Sequence, residues 1–208
     1  MRIGVLASGE GSNLQAILDR VHGREGVEVV AVGSDKPAAP ALARAQAAGV
    51  AVRAFPRAEH ADRRARDLAT AGWLGGARVE LVVLAGYMQL LDPAFLARFP
   101  GRVINVHPAL LPAFPGIGAV EQALAYGVKV FGVTVHFVDE GVDTGPIIAQ
   151  RAVELPDATE PAQVRAALRP LEHELLCDAV RRMARGGLAF DPSEPRRVLV
   201  QPLYGASR

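Results

Sequence analysis

The chain has 208 residues, 50% of them hydrophobic and 22% charged, with a net charge of +1. That size and balance suit one globular domain and leave no strongly basic surface of the kind nucleic acid or an anionic membrane attracts. One cysteine, Cys177, excludes an internal disulfide framework and a thiolate zinc cluster, and suits a reducing compartment.

Short apolar runs alternate with helical spacings along the chain. Arg2–Ala7 reads as a buried strand, and Ser8-Gly9-Glu10-Gly11 breaks the apolar stretch too early for a signal peptide. Asn13–Val21 has the apolar spacing of a helix, with Ser12 as its cap. Val27–Val32 is a second strand, Ala41–Ala48 an Ala-rich helix stopped by Gly49, and Val50–Phe55 a third strand. Asp62–Leu74 is a charged amphipathic helix. Leu81–Ala85 is the most apolar strand, and the run to Met88 is far too short to span a bilayer. Asp92-Pro93 opens a short helix, Arg102–Val106 is a fifth strand, and a Pro-rich loop runs from His107 to Gly118. A helix is expected over Ala119–Tyr126. Val130–Val138 and Pro146–Val153 form a hairpin-like pair around the turn-rich Asp139–Gly145. Thr159-Glu160-Pro161 opens a long helix to about Arg185, which Pro170 should kink or split. The tail from Phe190 is polar, with a short strand at Val198–Val200.

This alternation predicts an α/β fold: a doubly wound, mostly parallel sheet with a late antiparallel strand pair and a long C-terminal helix. Ligands on such sheets lie beyond the carboxyl ends of the strands. That rule selects the loops Ser8–Asn13, Ala85–Leu91, Asn105–Gly118 and Asp139–Gly145. In the first, glycines and a helix start would cradle a phosphate. A ligand-free turn competes, as does a dinucleotide fingerprint with Asp35 as ribose acid, though Leu14 replaces its third glycine. Strand alternation puts Asn105 and His107 on one side, an amide donor and an imidazole suited to an oxyanion and a proton. In Asp139–Gly145, either a solvated hairpin loop or a carboxylate partner for His107 is possible. Its spacing is not an EF-hand's. Glu172-His173 and Arg63 read locally as charged helix faces, and His136 as a core residue or a site residue. Cys177 reads as a small buried apolar residue.

Several stretches together resemble the glycinamide ribonucleotide formyltransferases, in the formyltransferase superfamily that uses 10-formyltetrahydrofolate. They are Leu6–Gln15, Val83–Met88, Ile104–Pro112, Phe114–Gly116, Thr134–Val138 and Asp143–Ile148. The resemblance runs from Ile3 to about Arg185. It implies one domain over 1–208, with a phosphate-binding half at 1–105, a catalytic and folate half at 106–190 and a tail at 191–208. It implies Asn105, His107 and Asp143 as the catalytic trio, with Asp143 keeping His107 charged and oriented. Gly11, Ser12 and Asn13 would hold the ribose phosphate; Glu172, with Arg169, would hold the glycinamide end. Arg63, Met88, Gln89, Leu90, Leu91, Asn105, Asp139, Glu140, Gly141, Val142 and Asp143 would meet the folate. Leu111-Pro112 would be cis.

The resemblance also implies small-molecule substrates in purine biosynthesis. No metal, nucleic acid or membrane partner is implied, and the enzyme would be cytoplasmic, as a monomer or homodimer. A formyltetrahydrofolate hydrolase with the same trio is the alternative. A strand opening at Arg2 leads us to expect no regulatory domain of the hydrolase kind. The chain departs from the family at Gln89, where Arg is common, at Ala113 and Gly118, and at Pro170.

Overall fold

The computed structural model describes residues 1–201. Its strands are β1 (Arg2–Leu6), β2 (Glu28–Ser34), β3 (Ala51–Ala54), β4 (Leu81–Leu84), β5 (Val103–His107), β6 (Val130–Phe137), β7 (Ile147–Glu154), β8 (Leu188–Phe190) and β9 (Val198–Val200). Its helices are α1 (Ser12–Arg20), α2 (Pro40–Ala47), α3 (Arg63–Gly76), α4 (Pro93–Leu96), α5 (Ala119–Tyr126) and α6 (Pro161–Ala184). Seven strands order as β3-β2-β1-β4-β5-β6-β7, and β8 pairs separately with β9. The pairings of β1 with β2 and β4, β2 with β3, and β4 with β5 are parallel, whereas β6 and β7 run antiparallel. This is the expected mostly parallel α/β sheet with a late antiparallel pair.

The chain divides into two compact units, the first Met1–Asn105 and the second from Val106. In the first, every residue of β4 is buried, and β1 lies between β2 and β4. Strand order turns at β1, so the loops after β1 and β4 adjoin: Ser8 N donates to Gly86 O at 3.0 Å. In the second, α6 packs on β6 and β7 and buries Val164, Leu168, Leu175, Leu176 and Val180.

Local signals set most helix ends. Asp62 accepts from Ala65 N at 2.7 Å and Asp92 from Ala94 N at 2.9 Å, each capping its helix. Gly49, at φ +72°, ends the turn after α2 as expected. Ser12 is not a cap: Gly11 holds that position in the left-handed region, no side chain caps α1, and Ser12 is the first helical residue. His107 lies inside β5 rather than after it. The pairing of β8 with β9 was not expected from the sequence.

Pro170 does not split α6, which continues unbroken through it. An interior proline forfeits one backbone hydrogen bond and crowds the preceding turn, at a cost of about 3 kcal/mol. The apolar face buried on both sides of Pro170 outweighs that loss. Pro170→Ala should therefore raise stability by about 1–3 kcal/mol, read as a higher thermal midpoint. An unchanged or lower midpoint would show that α6 accommodates the ring without cost.

Candidate active site

His107 ends β5 with 5% of its surface exposed. Its Nε2 lies 2.8 Å from Phe114 O. A carbonyl only accepts, so Nε2 carries the proton. Nδ1 then faces Asp143 Oδ2 at 3.3 Å. The same oxygen accepts from Gly116 N at 2.8 Å. Asp143 Oδ1 faces Nε2 of His136 at 3.5 Å, and His136 Nδ1 donates to Phe137 O at 2.7 Å. Each imidazole thus commits one N–H to a backbone carbonyl and turns its other nitrogen to one carboxylate. A proton on that second nitrogen converts lone-pair repulsion into a charge-assisted contact.

Burial is the largest influence on Asp143 and opposes its ionisation. The His136 hydrogen bond, the Gly116 N–H and the charges of His107 and His136 together outweigh burial. They hold the carboxyl below the ordinary aspartate range.

The backbone around this cluster is unusual. Asp143 and Phe114 both have left-handed φ, +53° and +54°. Aspartate tolerates that region, but a bulky residue held there costs about 1–3 kcal/mol. A Cβ on Gly145 would lie 1.8 Å from Phe137 O, so only glycine lets the loop return beside β6. Thr134, fully buried, fixes the Pro-rich loop. Its hydroxyl donates to Ala109 O at 2.7 Å and accepts from Leu111 N at 3.1 Å and Gln150 Nε2 at 2.9 Å. The Leu111-Pro112 bond is cis.

Of the carboxylates in 139–145, it is Asp143 that meets His107. Asp139 Oδ1 instead braces its own loop, accepting from Gly141 N at 3.1 Å and Thr144 Oγ1 at 2.6 Å. Glu140 and Val142 are exposed. Asn105, half-buried, precedes His107 by two residues on β5 and so shares its face. Arg169 is exposed and Glu172 half-buried, three residues apart on one face of α6.

In the first unit, Gly11 (φ +78°) begins α1, whose first-turn amides have no intrahelical acceptor. A Cβ on Gly11 would meet Ala41 Cβ at 2.8 Å. Arg44 Nε donates to Glu10 O at 2.8 Å, and Ser8 Oγ accepts from Met88 N at 2.8 Å. The loop is therefore a fixed frame with the chemistry of an anion site. Met88 and Leu90 are exposed, whereas the Leu91 side chain is buried. The Gln89 amide is turned to Arg66 and Asp35, so Asp35 is engaged there. Arg63 is an exposed cation 3.8 Å from Asp92.

Sequence reasoning left His136 open and passed over Thr134, Phe114 and Arg66. The signal for Arg66 is its four-residue spacing from Thr70 and Leu74, which puts it on the buried face of α3. Among the described residues no group of three or more His, Cys, Asp or Glu side chains is placed to hold a metal.

The formyl transferase family model matches residues 1–180. A phosphoribosylglycinamide formyltransferase of Mycobacterium tuberculosis is 46% identical over 187 residues, covering 90% of this chain and 86% of that protein. One from Bacillus subtilis is 42% identical over 174 residues, covering 83% and 89%. The crystal structure of glycinamide ribonucleotide transformylase 1 from Symbiobacterium toebii aligns with a TM-score of 0.92 at 46% identity, covering 97% of this chain and 94% of that one.

Asparagine keeps the shape of Asp143 and tolerates its backbone but cannot ionise. At neutral pH, Asp143→Asn should cost about 1–3 kcal/mol. The native carboxyl titrates below the unfolded one, so this advantage is complete above about pH 3.9. It is lost as pH falls through the lower native value. Urea unfolding across that range measures the gap between wild type and variant; a gap independent of pH overturns the reading.

Proposed function

The chain belongs to the formyl transferase family, and from that membership we infer that it transfers the formyl group of 10-formyltetrahydrofolate to the amine of glycinamide ribonucleotide. The products are formylglycinamide ribonucleotide and tetrahydrofolate, a step of purine biosynthesis. The observation that carries this reading is the His107–Asp143 pair at 3.3 Å, with Asn105 two residues earlier on the same strand face. The relatives named as ribonucleotide formyltransferases favour transfer over hydrolysis.

The substrate amine attacks the formyl carbon, and the carbonyl electrons move onto oxygen. In our proposal, the Asn105 amide and the His107 Nε2–H donate to that oxyanion. Asp143, facing Nδ1 at 3.3 Å, fixes the orientation of His107. The C–N10 bond then breaks as a proton passes from the attacking amine to the leaving nitrogen, through His107 or water. Because Nε2–H is given to Phe114 O at 2.8 Å, that bond must yield to the formyl oxygen during the reaction.

We assign the ribose phosphate to Gly11, Ser12 and Asn13, where the first-turn amides of α1 favour an anion. Arg169 and Glu172 are assigned to the glycinamide end, where a carboxylate suits an amine. Arg63 and the segment Met88–Leu91 are assigned to the folate, with Leu91 contributing backbone since its side chain is buried. Asp139, Glu140, Gly141 and Val142 are likewise folate residues in this reading. A cytoplasmic enzyme working as a monomer or homodimer completes the proposal.

Tetrahydrofolate release should require the ribonucleotide. His107→Ala should lower kcat by about a hundredfold or more. Release without the ribonucleotide would indicate a hydrolase. The attacking amine must be neutral, and an α-amino group titrates near about 7.7–8.0. Below that, kcat/KM for the ribonucleotide should fall about tenfold per pH unit. Asp143, held low, stays ionised through this range. A flat profile there overturns attack by the free amine.

A further inference from the structure

The most deeply buried charge in the first unit is not accounted for by the chemistry above. Arg66 on α3 is 2% exposed and Asp67 beside it is fully buried. Arg66 Nε donates to Asp67 Oδ1 at 2.9 Å. Nη2 lies 2.8 Å from that oxygen, close as an ion pair though not aligned as a second hydrogen bond. The other carboxylate oxygen of Asp67 accepts from Asp92 N at 2.8 Å. On its far side, Arg66 Nη1 donates to Gln89 Oε1 at 2.8 Å, and Gln89 Nε2 donates to Asp35 Oδ2 at 2.9 Å.

These contacts form one relay: Asp35, Gln89, Arg66, Asp67 and the Asp92 amide. It joins the end of β2, the inner face of α3 and the connection from β4 to α4. With the bond from Met88 N to Ser8 Oγ, it fixes the connection at residues 88, 89 and 92. Between those fixed points Met88 and Leu90 stand 58% and 46% exposed. Exposed apolar side chains on a backbone tied down from within make a preformed apolar surface, whose ordering need not be supplied when a ligand binds.

We propose that Arg66 is a positioning residue for the folate-facing segment Met88–Leu91, acting through the Gln89 side chain. The proposal rests on the assignment of that segment to folate. It gives Gln89 a different part from the one its position suggested. Both ends of its amide are engaged by Arg66 and Asp35, so its side chain sets the segment's shape while Met88 and Leu90 present the surface. Arg66 is suited to this because its planar fork holds two acceptors in one fixed geometry, whereas a lysine's ammonium is a rotatable point charge.

The test uses the full-length enzyme and the variants Gln89→Ala, Arg66→Gln and the double variant Arg66→Gln/Gln89→Arg. The double variant moves the cation to the Asp35 side while an amide still faces Asp67. Circular dichroism checks that each folds; Gln89→Ala, which leaves the Arg66–Asp67 pair in place, keeps the test open if Arg66→Gln does not. Two quantities are read: amide hydrogen exchange at residues 88–92, and KM and kcat for each substrate.

For Gln89→Ala we expect faster exchange at 88–92 and a KM for 10-formyltetrahydrofolate raised about tenfold or more. The loss should fall on that KM rather than on kcat or on KM for the ribonucleotide. The double variant should recover both readouts relative to Arg66→Gln. Faster exchange with unchanged KM would show that the relay holds the segment but that the segment is not the folate surface, overturning the assignment beneath the proposal. A raised KM with unchanged exchange would mean that Gln89 meets the ligand itself, overturning the relay. No change in either overturns the positioning role.

Discussion

An ionised carboxylate that is mostly out of water survives only if donors replace the water it has lost. Asp143 has such donors from three separate segments: the end of β5 through His107, the Pro-rich loop through Gly116 N, and β6 through His136. The requirement propagates outward. The Pro-rich loop must reach Asp143, and Thr134 and Gln150 tie it down. The loop carrying Asp143 must double back beside β6, which only a glycine at 145 permits. The left-handed backbone at Asp143 aims its carboxylate at all three donors, and an aspartate adopts that conformation more readily than most residues.

The first unit meets a similar need by a different route. Its loops after β1 and β4 are joined through Ser8, whose backbone meets Gly86 and whose hydroxyl meets Met88. Behind them lies a buried cation paired with one carboxylate and linked to a second through a neutral amide. A buried ion pair is poor evidence of stability, because desolvation consumes much of the Coulombic gain. Its value lies in geometry: each member accepts only a narrow set of positions for its partners. That suits a loop whose shape matters more than its contribution to the core.

What the sequence disclosed follows from where the physical signals are local. Leu81–Leu84 was legible because a strand buried on both faces must be apolar throughout, and Asp92-Pro93 because cap and first turn are written in adjacent residues. The pair β8–β9 was only half visible, since Leu188–Phe190 becomes a strand by pairing with Val198–Val200. Ser12 looked like a cap because the sequence does not show that Gly11 has turned left-handed. At the candidate site, strand spacing marked Asn105 and His107 as candidates. The choice of Asp143 over Asp139 came from family resemblance alone, because the fold of the loop decides which carboxylate turns inward. His136 stayed ambiguous for the same reason: its burial and its contact with Asp143 are both real, and neither is written locally.

The arrangement also explains how His107 can be both fixed and available. Its Nδ1 is committed to Asp143, so the ring does not rotate. Its Nε2–H is committed to Phe114 O, which in the proposed reaction occupies the acceptor position that the formyl oxygen would take. Exchanging one carbonyl oxygen for another alters the hydrogen-bond balance little. Phe114, moreover, holds its carbonyl there from a left-handed backbone that a phenylalanine adopts at a cost of about 1–3 kcal/mol. Releasing that residue offsets part of the loss when its bond is broken. As negative charge grows on the substrate oxygen, the same donor strengthens its interaction, because a charged acceptor binds an N–H more tightly than a peptide carbonyl does. In the proposed reaction the preference for substrate over Phe114 is therefore weakest in the ground state and greatest at the tetrahedral stage, as catalysis of the transfer requires.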